Sequence, residues 1–78
     1  MKCTQYFEVM RQRQDRSDIE LAWIQQTIEH PVKEVIQQDG RIRRWARIDE
    51  ANGKYLRVIL LADVETVHNA FFDRNFTP

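Results

Sequence analysis

The chain has 78 residues, 42% apolar and 31% charged, with two glycines, two prolines and one cysteine. It reads as one domain, residues 1–78, near the lower size limit for folding without staples; a disordered tail, an intramolecular disulfide and a zinc finger are excluded. Twelve basic residues balance twelve acidic ones, so net charge gives no argument for a nucleic-acid partner.

In chain order, Cys3, Tyr6, Phe7 and Met10 fall at the i, i+3, i+4, i+7 spacing that gives a helix one apolar stripe, with Thr4 placed to cap it. Alternation of Phe7 with Val9 keeps a strand open as the rival for residues 4–12. Arg11, Arg13 and Arg16 follow as a second basic group, for which a solvated helix end, where the dipole favours cations, is the leading reading. Ser17-Asp18-Ile19-Glu20 has the capping-box pattern and predicts a second helix starting at Ser17. Leu21, Ile24 and Ile28 give it an apolar face, and Pro31 predicts a stop near Glu29, leaving His30 as a helix-end residue.

Four strands are then predicted. Val32 to Gln37 is the first, and Asp39-Gly40 turns it into Arg41 to Ile48. Asn52-Gly53 leads into Lys54 to Ala62, and a break at Asp63 to Glu65 into Thr66 to Phe72. Val64 is ill suited to positive φ, so an ordinary type I turn is expected there. The expected fold is α+β: two N-terminal helices packed on a four-stranded antiparallel meander sheet. The third of these strands is apolar on both parities. Its second face therefore needs cover, from the N-terminal segment, a tail or another subunit, which makes a homodimer a candidate.

Two groups of residues carry candidate chemistry. Arg41, Arg43, Trp45 and Arg47 share one strand parity, and guanidinium forks interleaved with an indole suit the phosphates and bases of single-stranded RNA. A wet strand face whose arginine stems shield one Trp explains the same pattern. The opposite parity, Ile42, Arg44, Ala46 and Ile48, is expected to face the core, with Arg44 as its misfit. If Ala62 to Glu65 closes the last hairpin, Ile59 opposes His68, Arg57 opposes Ala70 and Tyr55 opposes Phe72. Tyr55, Arg57, His68 and Arg74 would then share a face, opposite Leu56, Val58, Leu60, Val67 and Phe71. They are the parts of a metal-free ribonuclease site: His68 as acid or base, Arg57 and Arg74 as phosphate clamps, Tyr55 to orient or donate. The plainer alternatives are a half-buried His68 bonded to a neighbour, and an Arg74 paired with Asp73. The two histidines have no paired spacing, so no metal and no cofactor is expected. No charged-then-apolar leader is read at the start, and Val58 to Ala62 is too short to span a bilayer. A reducing, cytoplasmic setting with no membrane partner is the expectation.

The run HPVKEVIQQDGRIRRWARI, the LRVILL strand and the closing VHNAFFDRNF, over roughly Trp23 to Phe76, resemble small BrnT-type and RelE-like toxin domains and related bacterial families of unknown function. That resemblance implies a metal-independent ribonuclease, an antitoxin partner, and roles in RNA cleavage for Arg57, His68 and Arg74. The neutral charge and the single arginine near the end depart from those strongly basic toxins. A non-enzymatic interaction or dimerisation module is the rival from another class.

Overall fold

The computed structural model describes residues 1–13 and 18–78. In order these form strand β1 (Lys2–Cys3), helix α1 (Gln5–Arg11), helix α2 (Leu21–Glu29), strands β2 (Lys33–Ile36) and β3 (Ile42–Ile48), a 3-10 turn (Asp49–Ala51), and strands β4 (Lys54–Leu60) and β5 (Thr66–Phe72). The sheet order is β1-β5-β4-β3-β2. The chain is thus α+β, but the expected four-stranded antiparallel meander is corrected to a five-stranded mixed sheet. The added strand, β1, runs parallel to β5 with Lys2 beside Thr66 and Cys3 beside Val67. Two residues carry no readable periodicity, and a partner more than sixty positions away leaves no local trace.

Residues 5–11 are helical because Thr4 stops extended backbone and its hydroxyl accepts from the Phe7 N–H at 3.1 Å. Phe7 is buried, and Tyr6 and Val9 stay exposed. In α2 the N-cap is Glu20, in extended backbone and without a side-chain cap bond, so the helix starts later than the capping box predicted. Ser17, like Arg16 of the basic group, lies outside the described residues. The helix ends at Glu29 as Pro31 requires, with the His30 N–H still bonded to the Gln26 carbonyl. Thr27, fully buried, spends its hydroxyl on the Trp23 carbonyl at 2.9 Å.

Cross-strand pairing assigns the two faces. Rows Ile36–Ile42–Leu60–Val67, Glu34–Arg44–Val58–Ala70 and Ala46–Leu56–Phe72 lie on one side. Phe7, Ile19 and Ile24 pack on that side with Ile42, Ile48, Leu56, Val58, Leu60 and Val67, so both helices cover it. Arg44, the misfit there, is satisfied: its Nε donates to Glu34 at 2.6 Å and its Nη1 to the Ile28 carbonyl at 2.9 Å.

The β4–β5 hairpin departs from the expected register. Leu60 pairs with Val67, but Ile59 pairs with Asn69, Arg57 with Phe71 and Leu56 with Phe72. His68 is the extra residue of a β-bulge, which flips the parity of everything after it. Phe71 therefore leaves the helix side and Phe72 joins it, the reverse of the expected assignment. The turn also departs from expectation at Val64, which sits at φ 64° although it is ill suited to that region. Asp63 explains this, because its carboxylate accepts from the Glu65 and Thr66 N–H groups at 2.9 Å and from the Thr66 hydroxyl at 2.5 Å. Those bonds, the Thr66 hydroxyl foremost, hold the Asp63 carboxyl down to about 2 and pull the chain into a reversal tight enough to put Val64 in the left-handed region.

A β-branched residue there costs roughly 1–2 kcal/mol. Val64 is 42% exposed and contributes little to the core. Val64→Gly is therefore expected to stabilise the protein by about 1 kcal/mol net of glycine's entropy, several degrees in Tm. Thermal unfolding followed by circular dichroism checks this; an unchanged or lowered Tm counts against the strain. Among the described residues no helix is long and apolar enough to cross a membrane.

Candidate nucleic-acid interface

The helix-free side of the sheet carries the rows Lys33–Trp45–Arg57–Phe71 and Val35–Arg43–Ile59–Asn69, and the pair Arg47–Tyr55. Four cations thus stand on one face with five apolar or aromatic neighbours. The shared parity of Arg43, Trp45 and Arg47 predicted from the sequence is what puts three of these side by side.

The centre of the face is closed by the segment after β5. The Asp73 N–H bonds the Tyr55 carbonyl at 2.9 Å, and Asp73 Oδ1 accepts from the Asn75 N–H at 3.0 Å. This turn brings Phe76 back over the sheet. Its ring stacks on Trp45 at 4.9 Å and 15°, meets Tyr55 at 5.0 Å, and receives the Lys33 ammonium at 6.0 Å. Trp45 is 6% exposed as a result, and its Nε1–H donates to Asp73 Oδ2 at 3.0 Å. Trp45 is therefore not the open stacking platform that its place among arginines suggested. It is the middle of a second, small core.

Arg57 belongs to that core too. Its guanidinium lies between the rings of Phe71, at 5.1 Å, and Trp45, at 5.7 Å, and pairs with Asp73 at 3.5 Å. Burial, and then repulsion from Arg43, weaken its hold on its proton, against the pull of Asp73. Its Nε is buried with no acceptor among the described residues. The Trp45 N–H, with the Asn75 N–H and Arg57 beside it, holds the Asp73 carboxyl below its ordinary value.

Around this core the cations are more accessible. Arg47 is exposed, its guanidinium folded against Gly53 and paired with Asp49 at 3.3 Å. Gly53 follows Asn52, both with positive φ, which is how the predicted Asn-Gly turn closes. Arg43 is half-buried, and its guanidinium donates to the amide oxygen of Gln37. Arg41, ahead of β3, is turned toward Asp39 at 3.8 Å. Below the face, Lys54, Tyr55, Phe71, Asp73, Arg74 and Phe76 line a cleft of about 810 Å³.

The four expected catalytic residues do not assemble. Tyr55 and Arg74 share the cleft, but Arg74 is exposed in the turn beyond β5 rather than on the strand. Arg57 opposes Phe71, three residues and about 10 Å along β5 from His68. The one-residue bulge is the physical reason. His68 is instead taken up by the start of α1: Tyr6 stacks on it at 4.9 Å and 26°, and its Nδ1 lies 3.2 Å from the Thr4 hydroxyl. That hydroxyl oxygen already accepts from Phe7, so its proton is free to go to Nδ1. Burial, then Arg41, lower the His68 pKa, which favours a neutral ring. His30 caps the end of α2. Burial and then Glu8 push the Cys3 thiol up, away from the thiolate a nucleophile needs. Among the described residues no group of three or more His, Cys, Asp or Glu is arranged to hold a metal ion.

Reading the sequence missed Asp73, Phe71 and Phe76 as parts of this face. The signal was present in the doubly apolar third strand, whose second side had to be covered. Compared with family models, curated proteins and solved structures, the chain finds no match in any of the three.

Proposed function

We propose that the protein binds single-stranded RNA on the helix-free face of its sheet, as a non-catalytic module. One observation carries the reading: Lys33, Arg43, Arg47 and Arg57 share that face with Tyr55 and Phe71, while both helices lie behind it. Guanidinium groups beside partly accessible rings supply phosphate contacts and stacking together, the combination that single strands use and that a duplex, with its bases hidden, does not need. Arg43 and Arg47 are the phosphate contacts. Tyr55, at the mouth of the cleft with Lys54 and Arg74, is the stacking surface. Trp45 and Arg57 support it from below. Cleavage lacks its acid–base partner here, since His68 is held by Thr4 and Tyr6 away from Arg57. An antitoxin partner, which only the toxin resemblance implied, is left aside with it. A reducing cytoplasm, with Cys3 as a free thiol, is the setting we assign.

Fluorescence anisotropy with a short labelled single-stranded RNA tests this. Binding is expected at low salt, falling as salt rises, and weaker for a duplex of equal length. Arg43→Glu and Arg47→Glu should each weaken it about tenfold or more and make the salt dependence shallower by about one contact. No binding at low salt, or binding indifferent to both reversals in folded protein, overturns the proposal.

A further inference from the structure

We propose that β2 is a self-pairing edge, through which two copies of this chain join antiparallel into one continuous sheet. The other edge, β1, is two residues long and carries the charge of Lys2, which blunts it. β2 is left open. α2 packs over β3 and β4, and all four β2 residues are exposed. Val32, Val35 and Ile36 are 57%, 38% and 66% exposed, an apolar group gathered at one edge.

The backbone there is ready to pair. The Gln37 N–H donates to the Arg41 carbonyl, and the alternation of an antiparallel ladder turns Val35 inward in the same way. The N–H and C=O of Glu34 and Ile36 therefore point outward.

Charge selects a second copy and one register. A two-fold axis through the sheet must set one residue opposite itself. Centred on Lys33 or Glu34, the pairing opposes like charges. Centred on Ile36, it runs into the turn at residues 38–40, where Gly40 N–H bonds the Gln37 carbonyl. Centred on Val35, it sets Val35 against Val35 on the helix-free face. Glu34 then lies opposite Ile36 of the second copy, twice by symmetry. That register gives four outward hydrogen bonds, all from Glu34 and Ile36 within β2, and opposes Lys33 to the neutral Gln37. Glu34 stays paired with its own Arg44, so its charge needs no other partner.

Sedimentation of the whole chain across the micromolar range tests the inference, together with amide exchange. The wild type should show a concentration-dependent mass of two chains, and the Glu34 and Ile36 N–H groups should slow as the dimer fills. Val35→Lys opposes two cations at the axis and should weaken the dimer at least tenfold. Ile36→Pro removes an outward N–H that the monomer does not use, so it should do the same without loss of fold. A wild type that stays monomeric at high micromolar concentration overturns the proposal. So does a dimer that ignores both variants, or one that leaves Glu34 and Ile36 exchanging freely. Pairing of β2 only with an extended segment of another protein also overturns it.

Discussion

Trp45→Ala is expected to cost about 3–5 kcal/mol of folding stability, a large share of what a domain of this size holds. The side chain is 6% exposed although its strand face carries no helix. Truncation removes the ring on which Phe76 stacks at 4.9 Å and over which the Arg57 guanidinium lies at 5.7 Å. It also removes the Nε1–H donated to Asp73. The loss should therefore not be confined to one site: Phe76 and the turn at Asp73 should loosen with it. Denaturant unfolding gives the magnitude, and the amide exchange of Asn75 and Phe76 gives the location. A loss under about 1 kcal/mol, the scale of an exposed surface residue, would contradict the buried position of Trp45. Trp45→Phe should recover most of the packing but not the hydrogen bond.

Asp73→Ala is the second large effect, at about 2–4 kcal/mol. Asp73 is the acceptor for the Trp45 indole and the counter-charge for Arg57, whose side chain is 19% exposed. Deleting it leaves a buried N–H and a crowded cation without a partner. Arg57→Met should cost much less, since it keeps the apolar stem between Phe71 and Trp45 and removes a guanidinium whose Nε is already unsatisfied. In the double variant the two losses should not add, with a coupling of about 0.5–3 kcal/mol. Additivity would show that Asp73 and Arg57 act independently. The pH dependence follows from the same contacts. The Asp73 pKa is lower folded than unfolded, so its contribution is fully present above the unfolded value of about 3.9 and is lost as pH falls through the folded one. Acid unfolding below about pH 4 should accordingly be shallower in Asp73→Ala than in the wild type.

Much of the fold was legible because its signals are local. Thr4 has the side chain of a cap and is one; Pro31 disfavours helix at the residue before it, and α2 ends at Glu29. The Asp39-Gly40 and Asn52-Gly53 turns join the strands they were expected to join. Parity along Arg41 to Ile48 placed Arg43, Trp45 and Arg47 on one face and Ile42, Ala46 and Ile48 on the other, as the pairing has them. The candidate site was legible only as far as that strand. Its catalytic half depended on counting across the last turn, and one uncounted residue was enough to separate His68 from Arg57.

By itself, then, the sequence determined the α+β class, the three consecutive hairpins and the side of the sheet on which Arg43 and Arg47 stand. These follow from turn chemistry and from the two-residue period of a strand, both written in neighbouring positions. Tertiary structure alone decided the parallel β1–β5 pair, the bulge at His68 and the seat of Phe76 on Trp45. Each depends on groups far apart in the chain. The imidazole is held by Thr4 and Tyr6, more than sixty residues earlier, and the Phe76 ring by a tryptophan some thirty residues back. Whether an extra residue in a strand is tolerated depends on what its side chain meets in space, and no local period records that.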